Sequence, residues 1–142
     1  MAKRDLKAEI VEILSDGRFH SGEKLGQEFG ISRAAVANHI KSLGELGLDI
    51  FSVHGKGYRL ASDIKLLNKC NIQSFSNLSH DTDIFSIVGS TNDQLLTSIR
   101  QGGEHTDGYT VIAECQTKGR GRRGRQWQSP FGSHIYLSQF RL

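Results

Sequence analysis

The chain has 142 residues, a formal net charge of +3 and 37% hydrophobic residues, which leaves room for one ordinary domain or two small ones. Its apolar runs are far too short to span a membrane, and its N-terminus lacks the apolar segment of a secretion signal. The histidines are scattered, and neither Cys70 nor Cys115 has a second cysteine at metal-ligand spacing. We therefore expect a cytoplasmic protein with reduced cysteines, no metal site and no membrane contact.

Residues 1–60 have the periodicity of three helices followed by a β-hairpin. Ser21 and Ser32 are good N-caps for the second and third helices. The pattern predicts helices at 3–15, at about 22–29 and from Ser32 to Gly44 or Gly47, then strands at 49–53 and 58–60. Lys56 lies at the tip of the hairpin, between two glycines.

The rest of the chain alternates between helix and strand patterns. A linker at 61–72 leads into a short helix with Leu66, Leu67 and Ile72, and residues 73–83 show no periodicity. The later predicted elements are a strand at 84–88, a helix with Leu95, Leu96 and Ile99 that ends at Gly102 and Gly103, and strands at 109–114 and 134–142. The strand pattern is still running at the last residue, so we expect two domains, 1–63 and 64–142, of which the second is incomplete.

The glycine-bearing turn between the second and third helices is typical of a helix-turn-helix motif. The apolar residues of the third helix, Val36, Ile40 and Leu43, lie on one face and are expected to point inward. Ala34, Asn38 and Lys41 then point outward. Asn can contact adenine with two hydrogen bonds, and Lys can reach guanine or phosphate. The residues predicted to contact DNA are Ser32, Arg33, Ala34, Asn38, Lys41 and, on the hairpin, Lys56. A helix that is merely solvated stays open as the alternative.

Residues 116–127 read Gln-Thr-Lys-Gly-Arg-Gly-Arg-Arg-Gly-Arg-Gln-Trp and hold five of the 18 Lys and Arg residues, with no acid. The spacing matches G-x-G-x-x-G, but Pro130 and a strand pattern follow it, so the helix that a dinucleotide fingerprint requires is missing. Arginine forks fit phosphate and carboxylate, and glycine lets a backbone approach a ligand closely. We predict a loop that closes over an anionic ligand; a strip that binds nucleic acid and a solvated basic loop are the alternatives.

Ser90, Thr91 and Asn92 lie where a predicted strand gives way to a helix. This position suits a simple N-cap, and it equally suits hydroxyl and amide groups that face a ligand at a helix N-terminus.

Taken together, these segments resemble the BirA family of bifunctional biotin–protein ligases and biotin operon repressors. The matching stretches, in chain order, are Phe-His-Ser-Gly-Glu-Lys-Leu-Gly (19–26), Ser-Arg-Ala-Ala-Val (32–36), Gly-Lys-Gly-Tyr (55–58), Ser-Thr-Asn (90–92) and Gly-Arg-Gly-Arg-Arg-Gly-Arg (119–125), followed by Trp127 and Ser-Pro-Phe-Gly (129–132).

The resemblance implies an α+β fold: a winged helix-turn-helix domain, then the first part of a catalytic domain related to class II aminoacyl-tRNA synthetases. It implies a protein that joins biotin to ATP, with Mg²⁺, to give biotinyl-5′-AMP and pyrophosphate. Biotin then passes to a lysine in the biotin carboxyl carrier domain of acetyl-CoA carboxylase. With the adenylate bound, members of the family form a homodimer on operator DNA and repress the genes of biotin synthesis.

The resemblance also assigns ligand-binding roles to nine residues of this sequence. The implied biotin and adenylate site consists of Ser90, Thr91, Asn92, Gln116, Gly119, Arg120, Gly121, Arg122 and Trp127. Two departures accompany the match. The family's Lys-Trp-Pro-Asn-Asp segment with its catalytic lysine is missing, so we expect this chain alone to be inactive as a ligase. Ala37 stands where the family commonly has a basic residue. A winged-helix regulator with a domain that only senses a ligand, and a nucleic-acid module built on the basic loop, remain as alternatives.

Overall fold

The computed structural model describes residues 5–62, 64–75, 81–102 and 105–142, in two compact units that meet between Leu66 and Leu67. The first unit consists of α1 (Leu6–Leu14), α2 (Gly22–Phe29), α3 (Arg33–Glu45), β1 (Ile50–Val53) and β2 (Gly57–Leu60). The second consists of α4 (Lys69–Phe75), β3 (Thr82–Val88), α5 (Thr91–Arg100), β4 (Thr110–Gln116), a 3₁₀ turn (Arg122–Gly124) and β5 (Tyr136–Gln139). Within these described ranges, none of the helices has the length and apolarity needed to cross a membrane.

Side-chain caps set where the helices of the first unit begin. The Asp5 carboxylate accepts from the first-turn amides of α1, the Ser21 hydroxyl from the Lys24 amide, and the Ser32 hydroxyl from the Ala35 amide, the last two at 3.1 Å. Behind the caps, one apolar face of each helix is buried. The buried hydrophobic residues of this unit are Ile10, Val11, Leu14, Leu25, Phe29, Val36, Ile40, Leu43, Leu48 and Leu60. The inward face predicted for α3 is therefore confirmed.

The hairpin of the first unit is joined by a short bridge to the segment between α1 and α2. β1 and β2 pair antiparallel, with Ile50 opposite Leu60. The backbone amides of His20 and Tyr58 each donate to the other residue's carbonyl at 2.9 Å. The ring of His20 also contacts both carboxylate oxygens of Asp16, at 2.9 and 3.0 Å, and this hydrogen bond lowers the pKa of Asp16 below its ordinary value of 3.8. The hairpin is therefore fixed to the segment before α2 close to its turn, beside Gly57.

The second unit is a three-stranded sheet with strand order β3-β4-β5. β3 and β4 run parallel and are connected through α5, and β5 pairs antiparallel with β4. An apolar cluster fastens α5 to the sheet; it contains Leu95, Tyr109 and Val111, with Phe85, Ile99 and Phe140 packed around them.

The helix predicted around Leu66 and Leu67 begins later, at Lys69. The Asn68 side chain accepts from the amides of Cys70, at 2.8 Å, and Asn71, at 3.4 Å, and so caps the helix at its observed start. The amide of Leu67 instead donates to the buried carboxylate of Glu114. Apolar periodicity predicted that the helix would include Leu66 and Leu67. The cap by Asn68 and the hydrogen bond of the Leu67 amide instead delay its start to Lys69.

Several predicted boundaries shift by a few residues. α3 runs through Gly44 to Glu45, β3 starts at Thr82, and β4 extends to Gln116. The strand predicted at 134–142 shrinks to Tyr136–Gln139, because only that stretch pairs with β4. Parts of the predictions at 3–15, at 61–72, at 73–83 and at Gly103 lie outside the described residues.

Substitution of two helical glycines by alanine is expected to change the free energy of unfolding in opposite directions. A Cβ added at Gly26 in α2 would lie 2.7 Å from the Ile31 carbonyl oxygen, whereas one at Gly44 in α3 would meet nothing within 4 Å. We expect Gly26→Ala to lower the free energy of unfolding by about 1–3 kcal/mol through overpacking. Gly44→Ala should raise it by about 0.5–1 kcal/mol, because Ala has the higher helix propensity. Urea unfolding followed by helical circular dichroism measures both, and a Gly26→Ala variant as stable as the parent would contradict the close packing.

Candidate functional site

Parallel pairing brings the predicted polar residues of the second unit to one edge of the sheet. Ser90 and Thr91 follow the end of β3, and Gln116 is the last residue of β4. The two strands are in register up to Val88 opposite Gln116. Ligands of open α/β sheets bind outside the carboxyl ends of such strands. The topology therefore places these side chains where a ligand site is expected.

A chain of hydrogen bonds connects these residues to β5 and to the segment before it. The Thr91 amide and hydroxyl donate to the Gln116 side-chain oxygen, at 2.8 and 3.2 Å, and the Thr91 hydroxyl lies 2.9 Å from that of Ser138. The Gln116 side-chain nitrogen donates to the Ser129 hydroxyl at 3.4 Å. Because Thr91 and Ser129 are buried, the network forms a polar floor held by its own partners, with the buried Ser90 next to it in the chain.

The basic loop is a closed hairpin, here called the Gly-Arg hairpin (residues 119–127). The Trp127 amide donates to the Gly119 carbonyl at 2.9 Å, and the Gly121 amide donates to the Arg125 carbonyl at 2.7 Å. The 3₁₀ turn forms its tip, where Arg123 has φ 60 and ψ 35. A non-glycine residue in this left-handed region costs about 1–2 kcal/mol, which the hydrogen bonds of the hairpin offset.

Gly119 fixes how closely the hairpin approaches the polar floor. A Cβ at this position would lie 2.9 Å from the Ser129 hydroxyl, 3.0 Å from the Trp127 carbonyl oxygen and 3.4 Å from the Gln116 side-chain nitrogen. Only glycine leaves room for these three neighbours together. The base of the hairpin is therefore packed directly against the floor.

Cations surround a depression of about 320 Å³ beside the hairpin. Its lining combines Lys118, Arg120 and Arg125 with one acid, Asp93, which the Arg120 guanidinium contacts as an ion pair. The remaining lining residues are Thr117, Gly119, Gly124 and Gln126. A depression with this charge is suited to a carboxylate or a phosphate.

An aromatic pair flanks the site. The Tyr136 hydroxyl donates to the Pro130 carbonyl at 3.0 Å and supports the segment after the hairpin, and burial raises the pKa of Tyr136 above 10.0. Trp127 has 62% of its surface exposed, and its ring lies beside Gly121. An exposed indole on the Gly-Arg hairpin offers a stacking surface for a planar ligand.

The structure brings five of the nine residues assigned to ligand binding into one place: Ser90, Thr91, Gln116, Gly119 and Arg120. Asn92 and Arg122 are exposed, the first in the first turn of α5 and the second in the 3₁₀ turn. Their ligand contacts, with those of Gly121 and Trp127, remain predictions.

Three residues of the site escaped the sequence reasoning: Asp93, Ser129 and Ser138. Asp93 directly follows the Ser-Thr-Asn segment, and Ser129 belongs to the matched Ser-Pro-Phe-Gly segment, so both had a usable signal in their neighbours. Ser138 had none, because its contact with Thr91 depends on the register of β5.

The residues predicted to contact DNA lie on the surface of the first unit. Ser32, Arg33, Ala34, Asn38, Lys41 and Lys56 are all exposed. A cleft of about 470 Å³ lies between the β1–β2 hairpin and the start of α2 and α3. Its lining residues are Ser21, Gly22, Glu23, Arg33, Ser52, Val53, His54, Gly55, Gly57 and Tyr58. The hairpin and α3 therefore border a common groove, as expected of a wing beside a recognition helix.

The part of the chain that the structure describes contains no cluster of metal-ligating side chains. There, no three His, Cys, Asp or Glu residues come together in a group able to hold an ion.

Comparisons with known proteins cover both units. Residues 7–59 match a family model described as an HTH domain, and residues 84–140 match the Biotin/lipoate A/B protein ligase family. The chain is 46% identical over 131 residues to the bifunctional ligase/repressor BirA of Salmonella typhimurium, an alignment covering 92% of this chain and 40% of that protein. With BirA of Escherichia coli K12 it shares 44% over 140 residues, 99% of this chain and 42% of the relative. With BirA of Bacillus subtilis it shares 31% identity over 143 residues, an alignment that covers 94% of this chain and 42% of the relative.

These matches and the fold define a protein that joins a helix-turn-helix DNA-binding unit to part of a biotin ligase unit. The chain belongs to the BirA family of bifunctional biotin ligases and repressors and corresponds to its N-terminal part. The resemblance and the α+β fold class expected from the sequence are confirmed. The chain spans about two fifths of the length of the relatives it matches.

The close approach at Gly119 can be tested with a matched glycine. A Cβ at Gly89 would come no closer than 3.8 Å to the Lys118 side chain. We expect Gly119→Ala to destabilise the second unit by about 1–3 kcal/mol through overpacking, and Gly89→Ala to have little effect. Trp127 is the only tryptophan of the chain, so its fluorescence during thermal unfolding reports on the hairpin. Equal transition temperatures for the two variants would refute the packing argument.

Proposed function

We propose that the protein this chain represents is a biotin–protein ligase of the cytoplasm that also represses transcription in response to biotin. The observation that supports it best is the polar floor of Thr91 and Gln116 lying directly beneath the Gly-Arg hairpin and its cations. Neither the floor nor the hairpin alone distinguishes a biotin site from other sites. Their combination fits a ligand with a neutral, hydrogen-bonding ring at one end and an anion at the other.

Biotin and its adenylate have this division of chemistry. The ureido ring of biotin has N–H donors and a carbonyl acceptor, which the hydroxyls of Ser90 and Thr91 and the amide of Gln116 can pair. The carboxylate, and the phosphate it becomes attached to, carry negative charge that Lys118, Arg120 and Arg125 would neutralise. The exposed Trp127 would lie against the adenine.

In the proposed reaction, a carboxylate oxygen of biotin attacks the α-phosphorus of ATP, and pyrophosphate leaves. The amine of a lysine in the biotin carboxyl carrier domain of acetyl-CoA carboxylase then attacks the acyl carbon, and AMP leaves. The role of the Gly-Arg hairpin is to stabilise charge at the phosphate and to keep water from the mixed anhydride. Mg²⁺ would enter with the phosphates of ATP, which is how proteins commonly hold it.

Ligand binding should protect the hairpin from proteolysis. Glycines and repelling like charges favour opening of residues 116–127, and an adenylate that neutralises the charges should favour the closed form. In a full-length form of the protein, we expect biotinyl-5′-AMP to slow trypsin cleavage within the hairpin at least several-fold. Cleavage at sites in the first unit serves as the internal control. Unchanged hairpin cleavage at saturating adenylate would exclude closure over the ligand.

For the first unit, we propose sequence-specific binding to operator DNA as a homodimer when the adenylate is bound. α3 would enter the major groove with Ala34, Asn38 and Lys41 toward the bases, while Arg33 and Lys56 contact phosphates. The exposure of all five side chains, and the groove that Arg33 at the start of α3 shares with the β1–β2 hairpin, support this arrangement. Because half-sites pair across a dyad, the operator should be an inverted repeat.

Base readout by Asn38 predicts a loss confined to the specific site. We expect Asn38→Ala to weaken binding to the operator by about 1–3 kcal/mol and binding to random DNA very little. Asn71→Ala, at an exposed amide in the second unit, is the matched control. Fluorescence anisotropy with both DNAs at fixed salt gives the comparison. Equal losses on the two DNAs would mean that Asn38 contacts only the backbone.

A further inference from the structure

We propose that Asp93 is an internal competitor for the anionic ligand: its carboxylate occupies Arg120 and must be displaced before Arg120 can bind a phosphate or carboxylate. This inference rests on the ligand site proposed above and assigns a role in setting anion affinity to a residue outside the predicted set. We call the contact between Asp93 and Arg120 the latch.

The latch joins the moving part of the site to its fixed part. Arg120 belongs to the Gly-Arg hairpin, and its guanidinium contacts the Asp93 carboxylate as both a hydrogen bond and an ion pair. Asp93 belongs to the first turn of α5, which also carries Thr91 of the polar floor. The residues are 27 positions apart, so the contact holds the hairpin to the helix rather than shaping a local turn.

The charge around the depression makes Asp93 an anion among cations. Of the described residues that line it, Lys118, Arg120 and Arg125 carry positive charge, and Asp93 is the one that carries negative charge. A ligand carboxylate or phosphate that enters this depression meets Arg120 already paired with Asp93. The two anions cannot share the guanidinium without repelling each other at close range.

Exchange at the latch is feasible because both partners are partly in water. The side chains of Arg120 and Asp93 are 66% and 50% exposed, and ion pairs at such exposure are weak. Once released, the Asp93 carboxylate still lies at the N-terminus of α5, where the helix dipole favours negative charge. Its backbone stays fixed, since its amide donates to Ser90 and its carbonyl accepts from the Thr97 hydroxyl. Displacement therefore leaves no buried, unpaired charge.

The first test measures affinity for a charged and an uncharged ligand. Calorimetry with biotinyl-5′-AMP and with biotinol, the neutral alcohol of biotin, compares the wild type with Asp93→Asn and Asp93→Glu. Asp107→Asn is the matched control, because Asp107 makes a similarly exposed pair with Arg141 at 3.8 Å and does not line the depression. We expect Asp93→Asn to bind the adenylate about two- to five-fold more tightly, with biotinol affinity unchanged. Asp93→Glu and Asp107→Asn should match the wild type.

The second test needs no ligand. Trypsin cleavage within the Gly-Arg hairpin should be about two- to five-fold faster in Asp93→Asn than in the wild type, Asp93→Glu or Asp107→Asn. If Asp93→Asn is cleaved at the wild-type rate, the latch is refuted, whatever the ligand data show. If cleavage accelerates but adenylate affinity does not rise, or rises equally for biotinol, competition is refuted. Failure of the adenylate to bind any variant would instead overturn the proposed biotin site, and the cleavage rates would still decide the latch.

Discussion

The parallel pairing of β3 with β4 is the constraint on which the rest of the second unit depends. It sets the end of one strand, with Thr91 just beyond it, beside Gln116 at the end of the other. Once these two residues are joined, the part-buried network continues to Ser138 and Ser129 and fixes the start of the Gly-Arg hairpin through Gly119. A shift of one residue in register would turn Gln116 to the opposite face and separate the floor from the hairpin.

Different forces hold the floor and the hairpin, and this difference would suit the closure over a ligand proposed above. The floor is largely buried at Thr91 and Ser129, so its hydrogen bonds are costly to break and keep one geometry. The arginines of the hairpin are exposed and repel one another, so the proposed closure would depend on weak contacts that a ligand can replace. A rigid polar base beneath a charged, exchangeable cover can recognise a neutral ring by shape and an anion by charge.

Much of this arrangement could be predicted from the sequence, and the remainder depends on long-range contacts. Periodicity gave the buried face of α3, and composition singled out the basic hairpin, since both signals are local. The start of α4 was placed too early because the cap by Asn68 outweighed the apolar pattern before it. The contact of Thr91 with Ser138 spans 47 positions, so it could not be derived without the strand register. The latch was missed for the same reason.

The first unit is shaped for DNA but carries little net charge with which to hold it. Residues 1–60 contain nine Lys and Arg and eight Asp and Glu, so a single copy gains little from counterion release. In the DNA-binding role proposed above, its affinity would come from base contacts by α3 and from pairing two copies on one site, which multiplies the effective concentration of the second. A nearly neutral DNA-binding unit would suit the proposed repressor, because a strongly basic unit would bind DNA in any state and lose its response to the ligand.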